Sequence, residues 1–191
     1  MGDHKDNNVH DDHKDDADDP EARAREICLR LLTLAPRTRA QLADALRKRG
    51  IPDTVAVGVL DKYADVGLID DAAFARAWVE SRHYSRGLAG RVLAAELKQR
   101  GVDSGEIRDA VEELGPDAEV ATARKLVAQQ LAGTRGQPAQ ARTRRLAGML
   151  ARKGYPPGLA FRVIREAMEA EGADGAPGEE PYFDDPDAFT E

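Results

Sequence analysis

The sequence predicts an all-α protein of three tandem three-helix repeats, helix-turn-helix-like and stacked into an elongated curved array, with disordered acidic tails. Three observations predict it. First, one block occurs three times: Leu42-x-x-x-Leu46-Arg47-Lys48-Arg49-Gly50-Ile51, Leu93-x-x-x-Leu97-Lys98-Gln99-Arg100-Gly101-Val102 and Leu146-x-x-x-Leu150-Ala151-Arg152-Lys153-Gly154-Tyr155, with glycines 51 and 53 residues apart. A fixed period means stacked copies of one small unit. Second, apolar residues recur at helical spacing from 21 to 168, and alternating strand patterns are missing. Third, charge is segregated: residues 1–20 sum to −6, residues 169–191 to −9, and the body between them to +8. The expected organisation is an acidic tail over 1–20, repeats over 21–67, 68–115 and 116–168, and a second acidic tail over 169–191.

Each element has a local reason. In the first repeat, Ile27, Leu31 and Leu34 fall on one helical face, and Pro36 ends that helix. Thr38 is placed to cap the next helix, which turns Leu42, Ala45 and Leu46 inward. Gly50 suits the left-handed position that closes it, and Pro52-Asp53 opens a third helix with Val55, Val59 and Tyr63 inward. In the second repeat, Asp70 or Asp71 caps a helix with Phe74, Ala77, Trp78 and Ser81 on one side. A helix over 89–100 follows and closes at Gly101; Asp103 or Ser104 caps the next, with Ile107, Val111 and Leu114 inward. In the third, Val120, Ala123, Val127 and Leu131 mark a helix before a Gly/Pro/Gln-rich loop at 133–139. A helix ending at Gly154 and one opened by Pro156-Pro157, with Leu159, Val163 and Ala167 inward, complete it. Units this small are expected to gain part of their burial from their neighbours.

Charge and motif content narrow the function. A basic body suits a polyanionic partner, of which nucleic acid is the usual one. Tyr182, Phe183 and Phe189 sit among the acids of the C-terminal tail, which reads as a solvated tail, as a DNA-mimicking segment competing with polyanions for the body, or as an acidic-aromatic docking motif. Cys28 is the only cysteine, so no internal disulfide forms, which fits a reducing cytoplasm. The sequence carries neither a secretory signal nor a span apolar enough for a bilayer. Phosphate-loop, His-Glu-x-x-His, paired Cys-x-x-Cys and Gly-x-Ser-x-Gly motifs are missing. His4, His10 and His13 lie in the N-terminal tail, where no framework fixes metal ligands; His83 alone lies in the body. Asp70-Asp71 and Glu112-Glu113 read as a cap and a solvated face, not as catalytic pairs. The expectation is a non-enzyme with no cofactor and no metal.

The richest stretch runs from Phe74 to Arg100. Arg76, Arg82, Arg86, Arg91, Lys98 and Arg100 interleave there with Trp78 and Tyr84, and only Glu80 and Glu96 are acidic. Guanidinium groups fork onto phosphates, and aromatics stack on bases or pack in a core. These eight residues are the candidate partner or DNA contacts.

The same stretch carries a specific likeness. Gly67-Leu68-Ile69-Asp70-Asp71-x-x-Phe74-Ala75-x-x-Trp78-Val79-x-Ser81-Arg82, then Gly87, Glu96-Leu97 and Arg100-Gly101-Val102, resembles the signature of the RecX family of regulators of the recombinase RecA. Leu31-Leu32-Thr33-Leu34-x-Pro36-Arg37-Thr38-Arg39-x-x-Leu42 is similar to that family's opening segment. One departure stands out: Leu88-Ala89-Gly90 replaces the family's frequent Gly-Pro step after the central glycine. The expected form is a cytoplasmic monomer; the resemblance implies that it binds RecA and the RecA–single-stranded DNA filament. It implies inhibition of ATP hydrolysis, strand exchange and SOS co-protease activity. The alternatives are a DNA-binding helix-turn-helix repeat protein acting without RecA, with tight salt-sensitive binding to bare DNA, and a helical scaffold for other partners.

Overall fold

The computed structural model of the chain describes residues 19–174. Among these, regular structure is helical, and no strand forms. The first repeat comprises α1 (Pro20–Leu34), α2 (Arg39–Arg47) and α3 (Asp53–Asp65). The second comprises α4 (Asp71–Arg86), α5 (Gly90–Gln99) and α6 (Ser104–Leu114). The third comprises α7 (Pro116–Leu131), a 3₁₀ turn (Ala132–Thr134), α8 (Ala139–Arg152) and α9 (Pro157–Asp174). The helices form two compact units divided at Gly115 and Pro116, the first holding two repeats and the second one.

The repeated block folds the same way each time. Gly50, Gly101 and Gly154 have φ of 74°, 77° and 92°, which an L side chain resists and glycine does not. The next residue's N–H returns to the helix: Ile51 to Leu46 O at 3.2 Å, Val102 to Leu97 O at 3.3 Å, Tyr155 to Leu150 O at 3.1 Å. This six-to-one bond satisfies a carbonyl that the helix end would orphan. It also turns Ile51, Val102 and Tyr155 into the core, where each is buried. Caps start the helices. Asp19 caps α1 ahead of Pro20, and Thr38 forms a reciprocal capping box with Gln41 on α2. Asp70, of the two expected candidates, caps α4, and Asp103 caps α6.

In the first unit each repeat has its own core. Ile27, Cys28, Leu42, Leu46, Val59, Leu60 and Tyr63 join in the first, with burial raising the Cys28 thiol pKa. Ala75, Val79, Leu93, Leu97, Ile107 and Ala110 join in the second. Each fully buried Leu contributes about 1.5–3 kcal/mol. Ile69, at the start of the second repeat, is buried in the first core, and polar, close-packed contacts join the two repeats further. Thr38 Oγ1 donates to Arg100 O at 2.6 Å, and Arg39 N–H donates to Asp71 Oδ1 at 2.9 Å. A Cβ built on Gly101 would lie 2.3 Å from Ala40 Cβ, so the α5 end touches the α2 start directly.

Two helical faces differ from expectation. In α1 the buried residues are Ala24, Ile27 and Cys28, with Leu31 half-buried against that core as expected, while Leu34, the last helical residue, is 75 % exposed. In α4 the buried face is Ala75, Val79 and His83, one position round from the expected Phe74, Ala77, Trp78 and Ser81. Phe74 and Trp78 flank that core half-buried; Ala77 and Ser81 are exposed. His83 belongs inside because its Nδ1 is 2.9 Å from Leu88 O, which gives a buried polar ring its partner.

In the second unit, Ala123, Val127, Leu146, Leu150, Tyr155, Val163 and Ile164 are buried. Tyr155 Oη has no hydrogen-bond partner among the described residues. Burial, with Glu119 nearby, pushes its pKa up to about 12. Helix α9 runs to Asp174, so residues 169–174, assigned by composition to the acidic tail, continue the helix. The reason is a local network. Arg142 donates to Glu171 and, through Nε, to Thr134 Oγ1 at 2.9 Å, while Arg135 Nε donates to Glu171 at 2.7 Å. These two guanidinium groups hold the Glu171 carboxyl below its usual pKa. Residues 1–18 and 175–191, with His4, His10, His13, Tyr182, Phe183 and Phe189, lie outside the described residues.

Candidate functional site

Helix α4 sets the candidate site by its pitch. Residues four apart share a face, so Phe74, Trp78 and Arg82 form one row, and Arg76, Glu80 and Tyr84 form another. Along the first row the Phe74 and Trp78 rings stack with centroids 5.8 Å apart. The Arg82 guanidinium lies 4.2 Å from the indole centroid, and Arg100, arriving from the end of α5, lies 3.8 Å from it. Glu96, one turn before Arg100, accepts the indole N–H at 2.8 Å. Each cation–π contact contributes about 0.5–2 kcal/mol and fixes an otherwise flexible arginine.

The consequence is chemical. The acid in this cluster is engaged by Trp78 Nε1, not by an arginine. Neither Arg82 nor Arg100 pairs with a carboxylate among the described residues. Two preset guanidinium groups on one aromatic platform keep N–H donors available for phosphate or carboxylate oxygens.

The other predicted residues fall elsewhere. Arg76 and Tyr84 border a cleft of 400 Å³ between α4 and α6. Glu80 and Glu113 also line it, so the cleft is not a cationic surface. Tyr84 is 69 % exposed. Arg86 and Arg91 are exposed on either side of the Gly87 turn, at the far end of α4 from Trp78. That turn has a left-handed Gly87 and an α5 N-cap, Ala89, with no side-chain cap bond, so it forms without the Gly-Pro step. Lys98 lines a separate cleft of 640 Å³ at the joint between the first two repeats, with Asp71 and Glu106. Burial raises both of those carboxyl pKa values; hydrogen bonds lower them, and neighbouring acids raise them further. The eight predicted residues thus divide into a Trp78–Arg82–Arg100 cluster and three separate groups.

Sequence reasoning missed Glu96 as the indole's partner and His83 as core. The Trp78–Glu96 pair spans two helices, so no single-helix periodicity marks it. Among the described residues no group of His, Cys, Asp and Glu could hold a metal ion, and no helix is long and apolar enough to cross a membrane.

Comparison with known proteins places this arrangement. Models of the first, second and third three-helix domains of RecX match residues 24–62, 70–111 and 117–164. The Regulatory protein RecX of Thermobifida fusca is 64 % identical over 153 residues, covering 80 % of this chain and 83 % of that protein. The Regulatory protein RecX of Streptomyces lividans is 60 % identical over 156 residues, covering 82 % and 83 %. The crystal structure of RecX from Lactobacillus salivarius superposes with a TM-score of 0.74 at 20 % identity, covering 79 % of this chain and 98 % of that one. With all three domain models matched and relatives this similar over most of their length, the chain belongs to the RecX family.

Proposed function

We propose that this chain is a non-enzymatic, cytoplasmic, monomeric regulator that binds RecA, above all the RecA filament on single-stranded DNA. Binding slows ATP hydrolysis, strand exchange and SOS co-protease activity, and so modulates recombination and repair. The observation that carries the reading is the Trp78–Arg82–Arg100 cluster in a chain whose relatives are named Regulatory protein RecX. The arginine donors on Trp78 suit the carboxylates of a protein groove or the phosphates of bound DNA. Arg86 and Arg91, exposed at the Gly87 turn, extend the same charge, while Arg76, Tyr84 and Lys98 supply further contacts from clefts they share with acids. Linked weak contacts to a repeating filament gain avidity where spacing matches.

The test is RecA ATP hydrolysis on single-stranded DNA, titrated with this protein well below one copy per RecA. The expected result is inhibition at those ratios, weakened at least tenfold by Arg82→Ala with Arg100→Ala at unchanged helicity. No inhibition, with steeply salt-dependent binding to bare DNA, would overturn it in favour of a DNA-binding repeat protein acting without RecA.

A further inference from the structure

The second unit contains a cavity that its own helices leave unfilled. It has a volume of 750 Å³, within the range of about 300–1,000 Å³ typical of binding sites. Its apolar wall is made of Leu131, Met168 and small residues such as Ala128 and Ala167, whose short side chains leave the space open. Its polar wall is Arg135, Arg142 and Glu171. Two guanidinium groups there share one carboxylate, so the wall carries an excess positive charge. Arg135 is the accessible one, with a side chain 70 % exposed, whereas that of Arg142 is 15 % exposed. The site therefore suits an occupant that is both apolar and anionic.

The sequence after α9 has that composition. Residues 175–191 carry six acids and no Lys or Arg, and Glu179-Glu180-Pro181-Tyr182-Phe183-Asp184-Asp185 sets two aromatics between two acid pairs. The chain also leaves from the right place. Glu171 and Gly172 line the cavity, and α9 runs only two residues further, to Asp174. The eight residues from Asp174 to Tyr182 span up to ~27 Å when extended. Helix α9 rises only ~10 Å from Ala167 to Asp174. The segment is long enough to turn back along α9 over the cavity.

We propose that Glu179–Asp185 of the same chain docks in this cavity. Tyr182 and Phe183 cover the apolar wall of Leu131 and Met168, and the flanking acids meet Arg135. Tethering makes the contact intramolecular, so even a weak segment occupies the site. The docking stands on the second unit alone, needs no RecA, and is tested without RecA or DNA.

The experiment records amide and arginine Nε–H resonances of the ¹⁵N-labelled full chain and of a Tyr182→Ala, Phe183→Ala variant. These substitutions lie outside every described helix, so the fold is preserved. The expected result is a shift of the Leu131–Gly136 and Ala167–Gly172 resonances and of Arg135 Nε, with those of 71–115 unmoved. Arg135→Glu shifts the same set, and tenfold dilution of the natural chain changes none of them. Unmoved cavity resonances in the double variant would overturn the proposal. Shifts that appear on dilution would overturn it too, since the occupant would then be a second copy.

Discussion

Thr38 and Ala89 hold the same position in the first and second repeats, and so do Gly50 and Gly101. Both glycines close a helix with φ near 75°. Around Gly50 nothing lies within reach of an added Cβ; at Gly101, Ala40 does, at 2.3 Å. Thr38 caps α2 and also reaches Arg100 O, while Ala89 offers α5 no side-chain cap. The two repeats share a plan, yet the joint uses the start of the second helix in one and the end of the second helix in the other. A motif that repeats in sequence therefore carries unequal constraints, and equivalent substitutions should have unequal costs.

The largest expected difference is between the glycines. Gly50→Ala should cost ~1 kcal/mol, from the left-handed backbone alone. Gly101→Ala adds an overlap with Ala40 that the close-packed joint must relieve, at a further cost of about 1–3 kcal/mol. Urea unfolding of the two variants measures this, and Ala40→Gly should rescue Gly101→Ala but not Gly50→Ala. Equal costs at the two sites would break the comparison.

Next comes Thr38→Ala. It removes the capping bond and leaves Arg100 O without its donor, for a combined loss of about 2 kcal/mol. Thr38→Ser keeps both bonds and should retain most of the stability. If the serine variant is no better than the alanine one, the hydroxyl is not what holds the joint.

The smallest effect concerns pH. Asp71 accepts from Arg39 N–H, yet burial raises its pKa above the ordinary 3.8. A carboxyl raised by folding favours the protonated form. Its contribution is complete below pH 3.8 and is lost as pH rises through the folded value. Asp71→Asn keeps an acceptor and no longer titrates. The stability of the natural chain relative to this variant should therefore decline from pH 3 to pH 6. Glu171 has the opposite sign, since Arg142 and Arg135 lower it. Its contribution is present above pH 4.5 and lost on acidification, so Glu171→Gln should flatten the acid side of the second unit's profile. A rising difference for Asp71→Asn would refute the burial account.

Much of this was legible in the sequence, because helix periodicity and glycine punctuation are local signals. Gly50, Gly101 and Gly154 gave the ends of three helices, and Thr38 the start of α2. The α4 face was misjudged because Phe74 and Trp78 outweigh Ala75 and His83 on any apolarity scale. Small Ala75 lets the helices approach, and His83 is made apolar-compatible by a carbonyl five residues on. The site was half legible. Arginine density marked the stretch, but Arg76 and Arg82 differ by six residues and so face apart, and Arg76 borders a cleft that Glu80 and Glu113 also line. The joint was not legible, since Thr38 and Arg100 are 62 residues apart and neither belongs to a recognisable pair.

Trp78 is also the chain's only tryptophan, and it lies in the first unit. Excited selectively, its emission reports on that unit alone, quenched or shifted as the stacked arginines leave the indole. Circular dichroism, in contrast, weights every helix of both units. Coincident melting curves from the two probes would mean that the chain unfolds as one cooperative body, and separated curves that its halves melt as independent bodies. One aromatic ring thus makes the energetic coupling of the units an optical quantity.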